Sequence, residues 1–313
     1  MDKIDEGALL ERFDRLVYEG IIAYRDDQER VVHEHEGLTF EFCLTAALAG
    51  KPTVSTPRSG SPRGDGAEQN ASTATPIYKP GSDISTSGFE VHSIGGTHIL
   101  AFNKFCIARP HFLLLTEDGF RRQYEALDLE DLTAAHSVIT SLTSKREYMV
   151  LYNGGIDAGC SRLHKHMQVI PKPDGYRLWL DDYDQDSRVK TSSLMDSIPF
   201  QYFMTRFSDT FLDPDALLRT YTSLLKEAQG ALRDWTTPKE GHVIAHNVVL
   251  TRKWIIIIPR RKAGVNGADT NAAGMLGMIW VSSKDRLQRW VELGPSDILA
   301  EIGVPHVITQ NGN

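Results

Sequence analysis

Residues 152–171 read YNGGIDAGCSRLHKHMQVIP and join a glycine-rich polar loop to an apolar strand. His164, His166 and Gln168 stand at every second position of this stretch. Because alternate residues of a strand project to the same face, an extended conformation aligns the three side chains. The glycines before them leave backbone N–H groups that can approach an anion closely. We therefore predict a nucleophile strand that follows a phosphate-binding loop.

The bulk composition excludes several classes of protein. The 313 residues suffice for one large domain or two smaller ones, and the formal charge of −7 argues against a general nucleic-acid binder. Three scattered cysteines are too few for a disulfide framework. The charged N-terminal stretch lacks the apolar core of a signal peptide, and the longest apolar runs are too short to cross a membrane. We expect a cytoplasmic protein, with the nucleus as a second location, and no nucleic-acid or membrane partner.

Hydrophobic periodicity predicts an α+β fold with a mainly antiparallel sheet. Helices are predicted at residues 5–26 with a break near Gly20, 128–144, 213–235 and 294–303, the last capped by Ser296. Strands are predicted at residues 38–48, three times within 90–116, at 147–155, and as a hairpin over 242–259. Residues 271–283 are compatible with either a helix or a strand. The Pro-, Ser- and Gly-rich residues 52–76 cannot bury much apolar area, so we predict a mobile surface loop there.

The histidine stretch has the groups that a transfer reaction at phosphorus requires. A neutral imidazole is a good nucleophile and is available near neutral pH. Such transfers depend mainly on positioning and on stabilising the charge of the phosphate oxygens. His166 supplies the imidazole, Ser161 and Gln168 supply hydrogen-bond donors, and Lys165 or Arg162 supplies a cation. We predict a covalent intermediate on histidine.

Several segments together resemble one enzyme family. HKHMQVIP resembles the histidine-triad (HIT) motif in the variant where glutamine replaces the third histidine. NGGIDAGCSRLHKHMQ, NKF…PHFLLLT, LTRKWIIIIPR and NAAGM resemble the fungal diadenosine tetraphosphate phosphorylases, also called ATP adenylyltransferases. The resemblance extends from Leu38 to Val281 without residues 52–76. It implies a HIT-like sheet with flanking helices in two related halves, a catalytic one at 1–190 and one at 191–313 that closes over the nucleotide.

The resemblance also implies roles for individual residues. His166 becomes the adenylylated nucleophile, Gln168 donates to the α-phosphate, and His164 supports them. The residues that match substrate contacts of the family are Lys51, Asn103, Lys104, Asn153, Gly159, Cys160, Ser161, Arg162, Asn271, Ala272, Ala273 and Met278. Departures from the family pattern stand at Ala158, Arg162, Leu163 and Ser282, the last in place of a lysine.

The implied reaction is phosphorolysis of diadenosine tetraphosphate by inorganic phosphate to ADP and ATP, with activity toward adenylyl sulfate as an addition. The expected partners are a dinucleoside polyphosphate, ATP, ADP and phosphate, and we expect a monomer. No covalently bound cofactor and no protein metal site are expected, while Mg²⁺ carried by the polyphosphate stays open. So do the choice between adenine and guanine and the direction of the reaction in the cell.

Other interpretations stay open at this point. The chain could hydrolyse dinucleoside polyphosphates or adenylyl conjugates, or it could bind dinucleotides without turnover. His164, His166 and Cys160 could bind zinc, since imidazole and thiolate suit that metal. The histidines outside the motif are expected to be structural: His98, His111, His242 and His246.

Overall fold

The computed structural model describes residues 4–48, 77–142, 146–176, 178–180, 197–207 and 213–306. The predicted loop 52–76, Lys51 and the predicted boundary at residue 190 lie outside these ranges. The helices are α1 (Glu6–Tyr18), α2 (Leu129–Ser141), α3 (Pro214–Leu232), α4 (Lys284–Leu293) and α5 (Pro295–Ile302). Within the described ranges, none of the helices has both the length and the apolar character that spanning a membrane demands.

The strands form one large sheet and two small ones. They are β1 (Glu29–His35), β2 (Leu38–Leu44), β3 (Glu90–Ile94), β4 (His98–Phe102), β5 (Phe112–Thr116), β6 (Tyr148–Gly154), β7 (His166–Pro171), β8 (Phe203–Arg206), β9 (His246–Leu250), β10 (Trp254–Pro259), β11 (Gly264–Val265), β12 (Ala268–Asp269) and β13 (Met278–Val281). The large sheet has the order β3-β4-β5-β7-β6-β9-β10-β8 with antiparallel neighbours throughout. Strands β1, β2 and β13 form a second sheet, and β11 pairs with β12. The predicted α+β class with a mainly antiparallel sheet is confirmed.

Strand β6 joins the two parts of the chain. It pairs with β7 on one side and with β9 on the other, so strands from both sides of the predicted boundary share one sheet. Asn153 of β6 lies opposite Asn247 of β9 in this register. The assignment of residues 1–190 and 191–313 to two related halves stays a prediction.

The two faces of the large sheet pack against different layers. On one face, Met167 and Val169 of β7 belong to a core that includes residues of α1, α2 and α3. On the other face, Ile170 belongs to a core with residues of β2, β13, α4 and α5. Because side chains alternate along a strand, His166 and Gln168 share the second face with Ile170. The predicted reactive residues therefore lie beneath the layer that contains β2 and β13.

The helix boundaries differ from the predictions in ways that local chemistry explains. Helix α1 ends at Tyr18, because Gly20 adopts a left-handed φ of +70°. Helix α2 begins at Leu129, within the predicted range 128–144, and Asp128 caps it in a reciprocal capping box with Asp131. The predicted Ser296 cap of α5 is wrong. The N-cap is Gly294, and the Ser296 hydroxyl donates to the carbonyl of His35 instead.

Some elements were absent from the sequence-based prediction. Strand β1 consists of exposed and half-exposed residues, so it lacks the apolar alternation that marks a half-buried strand. Strand β8 is a short edge strand, and α4 buries only Trp290 fully. Within 271–283, which sequence left undecided, a 3₁₀ turn at Gly274–Leu276 leads into β13.

Lys165 has a structural position that contradicts its predicted role as a phosphate cation. Its side chain is 1% exposed and its Nζ lies 2.6 Å from Asp131 Oδ2. It also donates to the carbonyl of Ala126, and His98 Nε2 lies 3.0 Å from the other Asp131 oxygen. Alternation along the strand turns Lys165 away from the face of His166. The ion pair therefore ties the chain before the nucleophile to the first turn of α2.

The buried Asp131 carboxylate gives a prediction about stability. Burial raises its pKa, but hydrogen bonds from His98 and Lys165 and the charge of Lys165 outweigh burial and hold the pKa below its usual 3.8. The resulting stability is complete above pH 3.8 and is lost as the pH falls through the folded-state pKa. We expect Asp131→Asn to lower the free energy of unfolding at pH 7 by about 3–5 kcal/mol in urea, because Lys165 stays buried without its counter-ion.

The difference between wild type and Asp131→Asn should shrink below about pH 4. Glu117→Gln is the control, because it breaks the exposed pair with Lys79 and should cost less than about 1 kcal/mol. A difference of the same size at all pH values would contradict the ion-pair explanation.

Candidate functional site

His166 is the first residue of β7 and is 8% exposed. Its Nδ1 lies 2.8 Å from the carbonyl oxygen of His164. A carbonyl only accepts, so Nδ1 carries the proton and the neutral ring has its lone pair on Nε2. The bond to His164 also fixes the orientation of the ring. Nε2 is therefore the candidate nucleophilic atom.

Gln168 is oriented by a histidine that the sequence analysis treated as structural. Gln168 Oε1 lies 3.0 Å from His111 Nε2, which donates to it in the tautomer that carries the proton on Nε2. In this tautomer His111 Nδ1 accepts, in agreement with the backbone N–H of Ile107 at 3.5 Å. The Gln168 oxygen thus accepts from His111, and the NH₂ group of Gln168 faces away from His111. His111 belongs to the PHFLLLT segment quoted above, but the strand pattern gave it no role.

Asn103, predicted to contact substrate, lies against this pair. Its amide nitrogen lies 3.1 Å from His111 Nε2 and 3.5 Å from His111 Nδ1, the nitrogen that accepts. Its amide oxygen accepts from the backbone N–H of Phe105. The neighbouring Lys104 side chain is exposed. Asn103 is therefore close to Gln168 through His111, while Lys104 is directed to solvent.

His164 is held by protein groups at both ring nitrogens. Nε2 donates to the carbonyl of Thr116 at 3.1 Å, and Nδ1 lies 2.8 Å from the Ser82 hydroxyl. Burial lowers its pKa below the usual 6.5, so the ring is neutral at neutral pH. The Asp83 carboxylate accepts from the backbone N–H groups of Leu163 and His164. These contacts fix the turn whose carbonyl orients His166, which fits a supporting position.

The glycine loop differs from the anion cradle that the sequence suggested. The N–H groups of Gly155, Ala158, Gly159 and Cys160 all donate to carbonyl oxygens of the protein. They are therefore not the bare donors that we predicted. Gly155 and Gly159 have φ of +95° and +84°, so the glycines serve the shape of the loop. Substrate contacts by Gly159 and Cys160 stay predictions and would need other atoms.

Gly159 brings the loop against the C-terminal part of the chain. A Cβ at this position would lie 2.5 Å from the Thr270 carbonyl oxygen and 3.0 Å from Asn271 Cα. Ser161 and Arg162 follow on the same loop and are half-exposed, with Arg162 donating to the Ser161 carbonyl. The structure thus places the predicted loop residues next to the predicted NAAGM segment.

A buried polar chain joins that segment to β6. Asn153 Oδ1 accepts from Asn247 Nδ2 at 2.9 Å and from the backbone N–H of Ala272 at 2.8 Å. Arg260 donates to Asn247 Oδ1 at 2.6 Å and to the Thr270 carbonyl. Arg260 is fully buried, and burial lowers its pKa to about 9. The Asn153 oxygen is thus structural, and a phosphate contact by Asn153 would use its Nδ2.

The remaining predicted residues lie around this chain and a nearby cavity. Asn271 Oδ1 accepts from the backbone N–H of Ala273, and Ala272 and Ala273 are fully buried. Met278 lines a cavity of about 320 Å³ together with Trp280 and Ile170. Ile170 follows Gln168 by two residues on the same strand face, so the cavity opens on the sheet face that carries His166, although His166 and Gln168 do not line it.

Asn247 and Arg260 lie buried next to the site, a position that the sequence does not predict. They lie in segments quoted for the resemblance, but a basic turn after a strand predicts solvent exposure rather than burial.

As for metals, no group of three His, Cys, Asp or Glu side chains within the described ranges is arranged to hold an ion. The zinc interpretation therefore has no ligand set in that part of the chain.

The close approach at Gly159 gives a prediction. Gly159→Ala introduces both backbone strain and a clash with Thr270, whereas Gly175→Ala introduces similar strain at φ +79° with no atom within 4 Å. We expect Gly159→Ala to be less stable than Gly175→Ala by about 1–3 kcal/mol in urea unfolding, the cost of overpacking. Equal losses in the two variants would show that loop and C-terminal segment do not need this contact.

Comparison with known proteins finds relatives for both parts of the chain. A model described as the Ap4A phosphorylase N-terminal domain matches residues 68–178, and one described as the ATP adenylyltransferase C-terminal domain matches residues 196–305. Diadenosine 5',5'''-P1,P4-tetraphosphate phosphorylase 2 of Saccharomyces cerevisiae is 30% identical over 215 residues, which cover 63% of this chain and 66% of that protein.

Two solved structures share the fold. The yeast Ap4A phosphorylase Apa2 in complex with AMP has a TM-score of 0.71 at 23% identity and covers 97% of this chain and 98% of its own. The same enzyme in complex with Ap4A has a TM-score of 0.69 at 22% identity, with coverage of 96% and 97%. These structures support a HIT-like fold along nearly the whole chain. The two domain models and the yeast relative show that the chain belongs to the Ap4A phosphorylase family.

Proposed function

We propose that this protein is a nucleotidyltransferase that cleaves diadenosine tetraphosphate with inorganic phosphate to give ADP and ATP. The observation that carries the proposal is the His166 ring, whose Nδ1 is anchored on the His164 carbonyl beside the oriented Gln168 amide. Membership of the Ap4A phosphorylase family supports it, as do solved relatives with AMP and with Ap4A.

The first step forms a covalent adenylyl-histidine. His166 Nε2 attacks the α-phosphorus, the new N–P bond forms, and the bond to the bridging oxygen breaks so that ATP leaves. The ring gains positive charge as the bond forms, which strengthens the hydrogen bond from Nδ1 to the His164 carbonyl. The NH₂ group of Gln168 donates to a non-bridging oxygen and stabilises the charge that develops there.

The second step transfers the adenylyl group to phosphate. An oxygen of inorganic phosphate attacks the α-phosphorus, the N–P bond breaks, and ADP leaves with the neutral ring restored. An amide has no basic site, so Gln168 orients the phosphate without removing a proton from water. This chemistry favours phosphate over water as the acceptor. A divalent cation on the polyphosphate would be part of the substrate.

We place a nucleoside of the substrate in the cavity beside Met278. The cavity measures about 320 Å³, and its lining combines apolar side chains such as Ile107, Ile170 and Trp280 with charged ones such as Arg30, Glu41 and Lys172. The apolar part suits the faces of a purine, and Ile170 lies two residues from Gln168 on the same strand face. This arrangement lets the base lie on the same sheet face as the reacting phosphorus.

The covalent intermediate leads to a labelling prediction. Incubation with Ap4A labelled at the α-phosphates should leave acid-labile label on wild type and none on His166→Ala, because the phosphoramidate forms only at that ring. His92→Ala, an exposed histidine on β3, is the control and should label like wild type. Equal labelling of wild type and His166→Ala would refute the nucleophile assignment.

A chase of the labelled enzyme separates the alternative functions. Phosphate should release the label as ADP, while buffer alone should release it slowly as AMP. A hydrolase would release AMP equally fast with or without phosphate. A dinucleotide sensor would bind Ap4A without acquiring label.

The glutamine gives a second prediction. Gln168→His places a basic nitrogen where the amide stood, so water attack gains assistance and the AMP-to-ADP ratio should rise by about tenfold or more. Gln168→Met removes the donor and should slow turnover by about 10²–10³ without raising the AMP share. Chromatography of the products measures both. An unchanged AMP share in Gln168→His would contradict the role assigned to the amide.

A further inference from the structure

Gln123 lies between β5 and α2, is 2% exposed, and had no predicted role. We propose that it is a positioning residue for the reaction, which holds the backbone of His166 and both ends of the glycine loop. The inference rests on the proposed function. It assigns a positioning role to a residue that takes no part in making or breaking bonds.

The side chain of Gln123 is inserted where two strands separate. Pairing of β6 with β7 ends at Leu151 opposite Gln168, although the same register, continued by two residues, would bring Asn153 opposite His166. There the Gln123 amide bridges the strands. Its oxygen accepts from the His166 N–H at 2.8 Å, and its NH₂ donates to the Asn153 carbonyl at 3.1 Å and the His166 carbonyl at 2.9 Å.

These partners determine the direction of the amide. The reverse orientation would face an NH₂ group to the His166 N–H and an oxygen to two carbonyls, which cannot hydrogen-bond. The Gln123 amide therefore takes the place of direct backbone hydrogen bonds between Asn153 and His166. Neighbouring strands lie about 4.8 Å apart, and an intervening side-chain amide holds them farther apart at the nucleophile.

The main chain of Gln123 holds the glycine loop at both ends. Its N–H donates to the Leu163 carbonyl at 2.9 Å. Its carbonyl accepts from the Gly155 N–H at 2.9 Å and from the Tyr152 hydroxyl at 2.8 Å. Leu163 directly precedes His164, whose carbonyl orients the His166 ring. Gln123 thus acts on both the backbone and the ring direction of the nucleophile.

This arrangement makes reactivity sensitive to one buried amide that never contacts the phosphorus. Displacing a reacting group by about 1 Å can slow a reaction by about 10². In the proposed function the nucleotide is bound by other elements, such as those that line the cavity at Met278. Changes at Gln123 should therefore affect the adenylylation rate more than substrate affinity.

Two variants of similar size test the proposal. Gln123→Met removes all three side-chain hydrogen bonds, and Gln123→Glu replaces the donating NH₂ by a carboxylate oxygen next to His166. In single-turnover labelling we expect both to slow adenyl-enzyme formation by about 30-fold or more, with the substrate concentration at half-maximal rate changed less than about threefold. The negative charge in Gln123→Glu should also raise the pKa of His166, so NMR titration of that imidazole should shift to higher pH, and Gln123→Met should show no such increase.

Leu232→Ala controls for stability, because it opens a cavity in α3 outside the contacts of Gln123 and the loop. It should lower the melting temperature without slowing adenylylation of the folded protein. The proposal is overturned if both Gln123 variants label at the wild-type rate, or if Leu232→Ala slows labelling as much at an equal loss of melting temperature. Absence of label on wild type would overturn the proposed function as well. Wild-type labelling rates in both Gln123 variants would overturn only the positioning role, so the two failures can be told apart. If Gln123→Met does not fold, the rate and the imidazole titration of Gln123→Glu decide.

Discussion

Strand β7 is buried on both faces, and the remainder of the structure accommodates that constraint. Met167 and Val169 belong to the core that includes α1, α2 and α3, while His166 and Gln168 face the layer with β2 and β13. A one-residue shift in register would exchange the two sets, placing imidazole in the helical core and methionine at the reaction site. Pairing with β5 and β6 prevents that shift.

Burying a reactive strand is costly unless most of the polar groups near it have partners. An unpaired buried donor or acceptor costs about 1–3 kcal/mol, so one loose amide would weigh heavily on a marginally stable fold. Around His166 the partners come from distant parts of the chain: Gln123 on its backbone, His111 on Gln168, and the Asn247–Arg260 pair behind Asn153. These bonds make the site rigid, which suits a reaction that depends on positioning.

Local sequence was sufficient for the features that depend on neighbouring residues. The alternation in HKHMQVIP placed His166 and Gln168 on one strand face, and Asp128 correctly predicted the start of α2. Sequence was insufficient where the partner lies far along the chain. The motif predicts a phosphate cation at Lys165, because nothing in it reveals Asp131. The glycine loop predicts an anion cradle, because nothing in it shows which amides bond to carbonyls.

The sequence by itself determined the strand that carries the proposed nucleophile, the neutral amide beside it and the family resemblance, because these follow from residue type and spacing. Only the tertiary structure decided which way each polar group faces and with what it bonds. Gln123 illustrates the difference, since its type predicts an ordinary surface residue. Folding places it between Asn153 and His166, where two strands leave room for one amide. Contacts of this kind depend on strand order and separation, which local patterns do not encode.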